Sequence, residues 1–427
     1  MSDRRSSVAP SHVMRVGWAA LTVTALTLTA CTSPADPSPS PNSPTHTSAP
    51  TSDASPTPAA SPSDEDPTST SEPASPTSPA EPRSIRINTS GDLLWNEALW
   101  EAARTGEHSF DFVPQLESLR PALDEADLAI CHQEVPVTSP GGRLTQYPTF
   151  RAPQETISAV AEVGFDLCTT ASNHTMDDGW DGLVRTLDVL AEHGLGATGS
   201  WATEADATSP DIFTTDNGVK VGIVSQTYGL NGIPHAPGKE WSVDFLDPYQ
   251  AIEDAKAARA AGADVVLFHM HAGDEYTHLP DANQQYMVNV IARSGEVDAV
   301  IGQHPHWTQP VDLVQGMWVV YSTGNLMASM PNAGPEVHDG ALVELTFTEQ
   351  PDGSFAVDDV TWAPTLITTA QDDPTGIPRV LLIPDELDDA DPHLRQRMLD
   401  SAARTESVLT SRVGEQMRQR GAEPVTP

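Results

Sequence analysis

Short apolar runs alternate with polar tips along most of the chain. We predict β-strands at residues 85–88, 127–131, 165–170, 219–225, 264–268, 298–301 and 317–321. Helical spacing of apolar residues predicts helices at 153–163, 180–193, 248–261 and 281–294. Pro153 lies in the first turn of the first of these helices, and Gly164 follows its end. Strands alternating with helices indicate an α/β layered fold, and the near-continuous apolar strands indicate sheets covered on both faces.

Two further elements are predicted after this alternating region. Residues 341–362 read as a β-hairpin with its turn at Pro351, Asp352 and Gly353. Residues 393–420 carry apolar side chains at helical spacing and are predicted to form a terminal amphipathic helix that serves packing. We therefore divide the chain into a leader at 1–31, a linker at 32–82, one domain at 83–385 and a helical extension at 386–427.

The first 31 residues have the pattern of an export signal. Arg4, Arg5 and Arg15 precede an apolar stretch at 16–29, which is too short to span a bilayer permanently. The stretch ends at Leu28-Thr29-Ala30-Cys31, which resembles a bacterial lipobox. We predict lipidation of Cys31 and an anchor on the extracellular face of the cell membrane, because two acyl chains give stable anchoring. The alternative is an ordinary signal peptide with an incidental cysteine.

Residues 32–82 are predicted to be a disordered tether. They consist largely of Ser, Pro, Thr, Ala, Asp and Glu and lack apolar side chains that could form a core. At about 3.1 Å per residue the segment reaches roughly 160 Å at most. It would hold the folded part away from the membrane, and O-glycosylation of its hydroxyl groups is an open alternative.

Charge and cysteine content narrow the classes of partner and site. The net charge of −38 argues against nucleic acid as a partner, because nucleic-acid binding needs basic patches. Cysteines stand only at 31, 131 and 168, which excludes a disulfide framework and a C-x-x-C zinc site. Cys131 and Cys168 end strands that could be neighbours. A disulfide is possible in an exported protein, but we favour two buried free thiols because adjacent-strand geometry rarely suits the bond.

Metal-binding residue types lie just past the carboxyl ends of the predicted strands, where α/β folds build their sites. They are Asp92, Glu134, Asn173, His174, His271, His304 and His306. Carboxylates, imidazoles and an amide oxygen form a mixed ligand set that suits Mn, Fe or Zn better than Ca or Mg. Two divalent ions about 3.5–4 Å apart, which need a shared carboxylate, would clamp the oxygens of a displacement at phosphorus.

The ordered motifs resemble those of the capsule-synthesis (CapA-type, poly-γ-glutamate) family, a branch of the calcineurin-like metallophosphoesterase superfamily. The motifs span residues 85–330 and are Gly91-Asp92, the strand tip at Glu134, Ser172-Asn173-His174 with Asp177 and Gly179, His271 to Tyr276, Gly302 to His306, and Tyr321 to Asn325. The resemblance implies a layered β-sandwich flanked by helices, with two bound divalent metal ions.

The same resemblance implies roles for individual residues. Asp92, Glu134 and His306 would hold one metal ion, and Glu134 would bridge to a second ion held by Asn173, His271 and His304. His174 would be the general acid, and Arg151 would contact an anionic substrate, since its fork suits phosphate or carboxylate. His269 is expected behind the ligands, Asp177 at the start of the following helix, and Asn325 beside the site.

The sequence departs from the wider superfamily or family patterns at three places, the first of which the capsule family shares. Leu93 and Leu94 follow Asp92, where the wider superfamily has an Asp-x-His ligand pair. The second motif reads His132-Gln133-Glu134 where Asn-Leu-Glu is usual. Ala272 replaces a tryptophan after the histidine of the fourth motif.

Two functions follow from the resemblance. The first is a metal-dependent phosphoesterase-like hydrolase or transferase that acts on a phosphoester or an anionic polymer during capsule or poly-γ-glutamate synthesis. The second is a non-catalytic polymer-binding or export component of a capsule assembly. A binding platform needs neither His174 nor an open metal position, so the Asn173-His174 pair favours the enzyme.

Overall fold

Two β-sheets organise the part of the chain that this computed structural model describes, residues 81–372 and 375–422. In chain order the strands are β1 Ser84–Leu93, β2 Arg104–Gly106, β3 Ser109–Phe110, β4 Leu128–Gln133, β5 Val137–Thr138, β6 Ala152–Pro153, β7 Leu167–Thr169, β8 Gly196–Thr198, β9 Ile212–Thr214, β10 Lys220–Thr227, β11 Val265–His271, β12 Ala299–Gln303, β13 Thr308–Val314, β14 Met317–Thr323, β15 Asn325–Met327, β16 Asp339–Glu349, β17 Phe355–Ile367, β18 Val380–Leu382 and β19 Arg418–Gln419.

Helices connect these strands. They are α1 Glu97–Ala102, α2 Val113–Leu116, α3 Arg120–Leu123, α4 Glu155–Glu162, α5 Gly179–Glu192, α6 Glu204–Ala207, α7 Pro248–Ala260, α8 Ala282–Ser294, α9 Ile383–Glu386 and α10 Pro392–Leu409. Short 3₁₀ turns lie at Glu117–Leu119, Glu240–Ser242, Pro335–His338 and Gly414–Gln416.

Each sheet combines four neighbouring parallel strands with antiparallel strands. The first sheet has the order β18-β17-β16-β1-β4-β7-β8, with β15 added beside β1 and β19 beside β17. The second sheet has the order β13-β14-β12-β11-β10-β9. Strands β1, β4, β7 and β8 run parallel to one another, as do β10, β11, β12 and β14. Two short two-stranded pairs, β2 with β3 and β5 with β6, lie outside these sheets.

The sheets pack face to face, and helices cover their outer faces. Side chains of the first sheet such as Ile87 and Leu345 share a buried cluster with Ile223 and Leu267 of the second. The outer face of the first sheet packs on α1 to α5, and that of the second on α7 and α8. The predicted α/β fold, a layered β-sandwich flanked by helices, is confirmed, and cover on both faces explains the near-continuous apolar strands.

Local sequence signals fix several helix ends. The Asp281 side chain accepts a hydrogen bond from the backbone N–H of Gln284, whose side chain bonds back to Asp281, so α8 starts with a capping box. The helix ends at Gly295, which has φ +70°. Asp247 and Asp391 likewise cap α7 and α10, and a proline follows each of them.

The C-terminal predictions are partly right. The hairpin is present as β16 and β17, with its turn around Asp352. The terminal helix is shorter than predicted, because α10 ends at Leu409 and residues 418–419 pair with β17 as a strand. Leu409, Val413 and Met417 join the cluster between the sheets, so this segment completes the core.

The prediction of two free thiols is wrong, because Cys131 and Cys168 form a disulfide. The parallel ladder between β4 and β7 pairs these two residues directly, with their Cα atoms 4.4 Å apart. The sequence placed the cysteines on possible neighbouring strands but could not give the register that sets them opposite each other.

The predicted leader, the lipidated Cys31 and nearly all of the linker at 32–82 lie outside the described residues. Within the described ranges, no helix is both long and apolar enough to cross a membrane.

Replacing both Cys131 and Cys168 by alanine should lower the free energy of unfolding by about 2–4 kcal/mol, because the bond closes a long loop in the unfolded chain. Denaturant unfolding of wild type and the double variant, each with and without reductant, measures this. Reductant should destabilise the wild type and leave the variant unchanged. A free thiol at either position, found by mass spectrometry of denatured wild type, would contradict the bond.

Candidate metal centre

The carboxyl ends of five parallel strands bring the predicted ligands to one edge of the two sheets. Asp92 lies at the end of β1, Glu134 follows β4, and His271 ends β11. Asn173 follows β7, and His304 and His306 follow β12. All six residues are at most 3% exposed, so their side chains are shielded from solvent.

Glu134 belongs to two sets of potential ligands. It stands with Asp92 and His306 in one set and with His271 and His304 in the other, and within each set the ligand atoms lie within 4.8 Å of one another. Glu134 Oε1 is 3.8 Å from His306 Nε2 and 3.9 Å from His271 Nε2. His306 Nδ1 is 3.2 Å from Asp92 Oδ2. Asn173 Oδ1 lies 2.9 Å from His271 Nε2, so the structure brings all six predicted ligands together.

Unpartnered polar atoms show that these residues fit a divalent cation. Both carboxylate oxygens of Glu134, His271 Nδ1 and His304 Nδ1 are buried without a hydrogen-bond partner among the described residues. Leaving buried polar atoms unsatisfied costs free energy. Nitrogen and oxygen donors of this kind coordinate Mn, Fe or Zn, so the cluster can hold metal.

Burial and local charge shift the pKa values of this cluster in opposite directions. Burial lowers the pKa of His304 to about 3, and burial with the neighbouring imidazoles lowers that of His271. Both rings are therefore neutral, as metal ligands must be. Burial raises the pKa of Glu134. Burial alone would lower the pKa of His306, but Glu134 and Asp92 outweigh it and raise this pKa to about 10.

The backbone at the end of β12 is held in an unusual conformation. His304 has φ +100° and His306 has φ +58°, in the left-handed region that residues other than glycine rarely adopt. Asn325 fixes the second of them: its Oδ1 lies 3.0 Å from His306 Nδ1, and its Nδ2 donates to His306 O at 3.2 Å. Asn325 was expected only beside the site, and it positions one of the predicted ligands.

His174 is oriented by a carboxylate. Its Nδ1 lies 2.7 Å from Asp177 Oδ2, which also accepts the backbone N–H of Phe150 at 2.7 Å. The Phe150 ring packs nearly perpendicular to the imidazole, with ring centroids 4.8 Å apart. The prediction that Asp177 opens α5 is wrong: its carboxylate turns to His174, and Asp178 takes the N-cap position without a side-chain cap bond.

Arg151 follows Phe150 and lies beside this pair. Its Nε is 2.6 Å from Asp178 Oδ1, and Asp178 also pairs with Arg185 at 2.8 Å. The Arg151 side chain is 32% exposed, so solvent and solutes reach it.

Two residues with ligand atoms near the cluster were not assigned from sequence. His132 forms a set with Asp92 and His271, and Glu275 forms one with His304 and His306. Glu275 is exposed, whereas His132 is 1% exposed. His132 lies two residues before Glu134, so strand periodicity could have placed both side chains on the same face. Glu275 is in a turn, where no periodicity indicates its direction.

Comparison with known families gives one match that covers more than half of the chain. The sequence model of a family described as bacterial capsule synthesis protein PGA_cap matches residues 86–330. Every predicted metal ligand and His174 lie inside this range.

Two proteins are related to the chain in sequence over parts of their length. The PGA biosynthesis protein CapA of Bacillus subtilis is 27% identical over 208 residues, which are 48% of this chain and 53% of that protein. The capsule biosynthesis protein CapA of Bacillus anthracis is 29% identical over 198 residues, or 45% and 47%. The chain thus spans about half the length of these relatives.

Solved structures give more distant likenesses. A calcineurin-like phosphoesterase YfkN from Bacillus subtilis has a TM-score of 0.41 and 16% identity, covering 76% of this chain and 98% of that one. The NAD nucleotidase of Haemophilus influenzae has a TM-score of 0.40 and 15% identity, covering 80% and 58%. No property of this chain is inferred from likenesses of that extent.

Metal binding to the metal-free protein should release a proton at neutral pH, because the interacting Glu134 and His306 side chains hold a proton that a cation displaces. The apparent affinity should therefore increase between about pH 6 and pH 8. Calorimetric titration with zinc in buffers of different ionisation enthalpy measures the release. A binding enthalpy independent of the buffer would contradict this protonation state.

Proposed function

The chain belongs to the bacterial capsule synthesis protein PGA_cap family, and from this membership we propose that it is a dinuclear metal-dependent, phosphoesterase-like hydrolase or transferase in capsule or poly-γ-glutamate synthesis. The names of the family and of the Bacillus relatives support the part of the proposal that concerns the polymer and its synthesis. The residues of the site support the proposed type of reaction.

The observation that carries the proposal is the position of Glu134. Its carboxylate is fully buried, has no hydrogen-bond partner among the described residues, and belongs to both ligand sets. A carboxylate shared by two ligand sets is what a pair of divalent ions needs. A single ion would leave one set of buried donors without a charge to coordinate.

The proposed ligand roles follow the two sets. Asp92, Glu134 and His306 hold one ion, and Glu134, Asn173, His271 and His304 hold the other. Bound divalent ions of Mn, Fe or Zn would polarise the oxygens of a phosphoryl group and activate water. Both His304 and His306 have left-handed backbone, and Asn325 contacts the imidazole of His306 and so restricts its direction.

His174 supplies the proton in this proposal. Asp177 holds Nδ1 as the N–H side of the ring, so Nε2 is the nitrogen that exchanges a proton with a leaving group. The edge contact with Phe150 and the backbone bond from Phe150 to Asp177 restrict both side chains. The preceding residue, Asn173, contacts His271, which connects this acid to the metal ligands.

Arg151 is the proposed contact for an anionic substrate, either a phosphoester or a carboxylate-rich polymer. Its guanidinium is partly exposed and is oriented by Asp178, which Arg185 also supports. Orientation by a carboxylate leaves other N–H donors of the fork available for a second acceptor. The net charge of −38 makes nucleic acid an unsuitable substrate.

We place the protein on the extracellular face of the cell membrane, anchored through lipidated Cys31. The support is the sequence alone: three arginines, an apolar stretch at 16–29 and the Leu28-Thr29-Ala30-Cys31 pattern. The Pro-, Ser- and Thr-rich segment at 32–82 would then separate the metal centre from the membrane.

Glu134→Gln and His271→Ala should each reduce the number of tightly bound transition-metal ions. The first removes the shared charge and the second removes an imidazole. Elemental analysis of the full-length chain after dialysis measures the stoichiometry, with His193→Ala, an exposed histidine after α5, as the matched control. Full metal occupancy in both site variants would overturn the ligand assignment.

His174→Ala should lower turnover by about 10²–10⁴-fold while the metal content stays at the wild-type level, since general acid catalysis contributes rate enhancements of this size. Asp177→Asn should also lower turnover, because it disturbs the orientation of the ring. The assays are hydrolysis of a generic phosphodiester and cleavage or transfer of poly-γ-glutamate, with His193→Ala as control. Metal binding without turnover of either would favour a polymer-binding or export component, and turnover that survives His174→Ala would remove the assigned acid.

A further inference from the structure

His132 is a buried histidine beside the assigned ligands. It lies on β4 directly opposite Asp92 in the parallel ladder with β1, and it is 1% exposed. Its Nε2 is 4.0 Å from Asp92 Oδ1, and its ring centroid is 4.8 Å from that of His271. The ligand atoms of these three residues lie within 4.8 Å of one another.

Hydrogen bonds on the far side of the ring fix its protonation. His132 Nδ1 lies 2.8 Å from Thr169 Oγ1, which is also 3.1 Å from His269 Nε2 and 3.3 Å from the Cys131 carbonyl oxygen. A carbonyl oxygen can only accept, so the single hydroxyl proton of Thr169 goes to Cys131. The hydroxyl oxygen then accepts N–H from both imidazoles. His132 therefore carries its proton on Nδ1 and presents a lone pair on Nε2.

That lone pair has no hydrogen-bond partner within the described residues. It points toward a buried carboxylate, Asp92, and two electron-rich acceptors facing each other at 4.0 Å repel unless a cation lies between them. A ligating histidine commonly donates its other ring N–H to a fixed acceptor, which is the role that Thr169 has here.

We propose that His132 is a metal ligand through Nε2, on the Asp92 side of the centre, and that Thr169 is the positioning residue that sets its tautomer. The inference rests on the proposed metal-dependent function. His132 would supply from β4 the imidazole that this chain lacks after Asp92, where the buried Leu93 and Leu94 offer no donor atom.

His269 is a matched control within the same network. It is 2% exposed, and burial lowers its pKa to about 3, as burial does for His132. Its ring centroid lies 4.7 Å from that of His132. Both of its nitrogens are partnered, Nε2 with Thr169 and Nδ1 with Ser225 at 2.9 Å, and it belongs to none of the ligand sets found among the described residues.

The test titrates the metal-stripped full-length chain with cobalt(II) alone, following stoichiometry, affinity and the visible absorption of the bound ion. His132→Asn should weaken at least one cobalt equivalent by about 10- to 100-fold and change the absorption bands, because it replaces a coordinating nitrogen. His269→Asn should bind like the wild type. Thr169→Val should weaken the same equivalent as His132→Asn and to a smaller extent.

The outcomes separate this inference from the function it rests on. A wild type that binds no cobalt overturns both. A wild type that binds two equivalents, with His132→Asn retaining the wild-type affinity and bands, overturns only the role of His132. Equal losses in His132→Asn and His269→Asn would also overturn it, since packing would then explain the effect.

A direct measurement covers the case in which His132→Asn does not fold. Anomalous scattering from wild-type crystals loaded with zinc locates each ion. A zinc ion about 2.0–2.1 Å from His132 Nε2 supports the assignment. Zinc present in the centre but out of bonding distance of that nitrogen overturns it.

Discussion

The burial of Glu134, which has no hydrogen-bond partner in the described part of the chain, is the constraint on which the rest of the site depends. Removing an ionised carboxylate from water costs several kcal/mol even after the protein relaxes. The nearest imidazole nitrogens lie too far from the Glu134 oxygens to donate hydrogen bonds that would offset this cost. A proton or a metal cation can offset the cost. The raised pKa of Glu134 favours protonation of the carboxylate, and the surrounding nitrogen and oxygen donors could instead hold a metal cation beside it. His271 and His304, which burial keeps neutral, favour the cation, because a neutral imidazole coordinates and a charged one repels.

The fold makes this arrangement possible because the parallel strands of both sheets have their carboxyl ends at the same side of the molecule. β1, β4 and β7 of the first sheet supply Asp92, Glu134 and the Asn173-His174 pair, while β11 and β12 of the second supply the other imidazoles. Each of the two proposed ligand sets that share Glu134 takes residues from both sheets. The packing of the sheets therefore positions the ligands, and the disulfide between Cys131 and Cys168 ties β4 to β7 three residues before Glu134. The polar side chains at the strand ends are buried, and they lie close to one another.

Sequence patterns were sufficient for seven of the sheet strands, the β16–β17 hairpin, the helices α4, α5, α7 and α8, and the position of each ligand near a strand end, because apolar runs and terminal polar residues are local features. Strands such as β8, β13 and β15 were not predicted. Register and side-chain direction are not local. The pairing of Cys131 with Cys168 depends on how β4 aligns with β7, and the turn of Asp177 toward His174 depends on Phe150 from another segment. His132 was visible only as a departure from the usual Asn-Leu-Glu pattern. Its role follows from pairing with Asp92 and from Thr169, which is 37 residues away.

If the substrate is an anionic polymer, bound metal ions would also help to attract it to this negatively charged protein. With a net charge of −38 the chain repels a polyanion at long range, and salt screens this repulsion beyond about 8 Å at physiological ionic strength. Close to the site the repulsion must be overcome locally. The guanidinium groups of Arg151 and Arg185 both pair with Asp178, so part of their charge is already compensated. Cations held by Asp92, Glu134 and the histidines would then provide the attraction that the rest of the surface opposes, and the same ions would decide where along a polymer the reacting group is held.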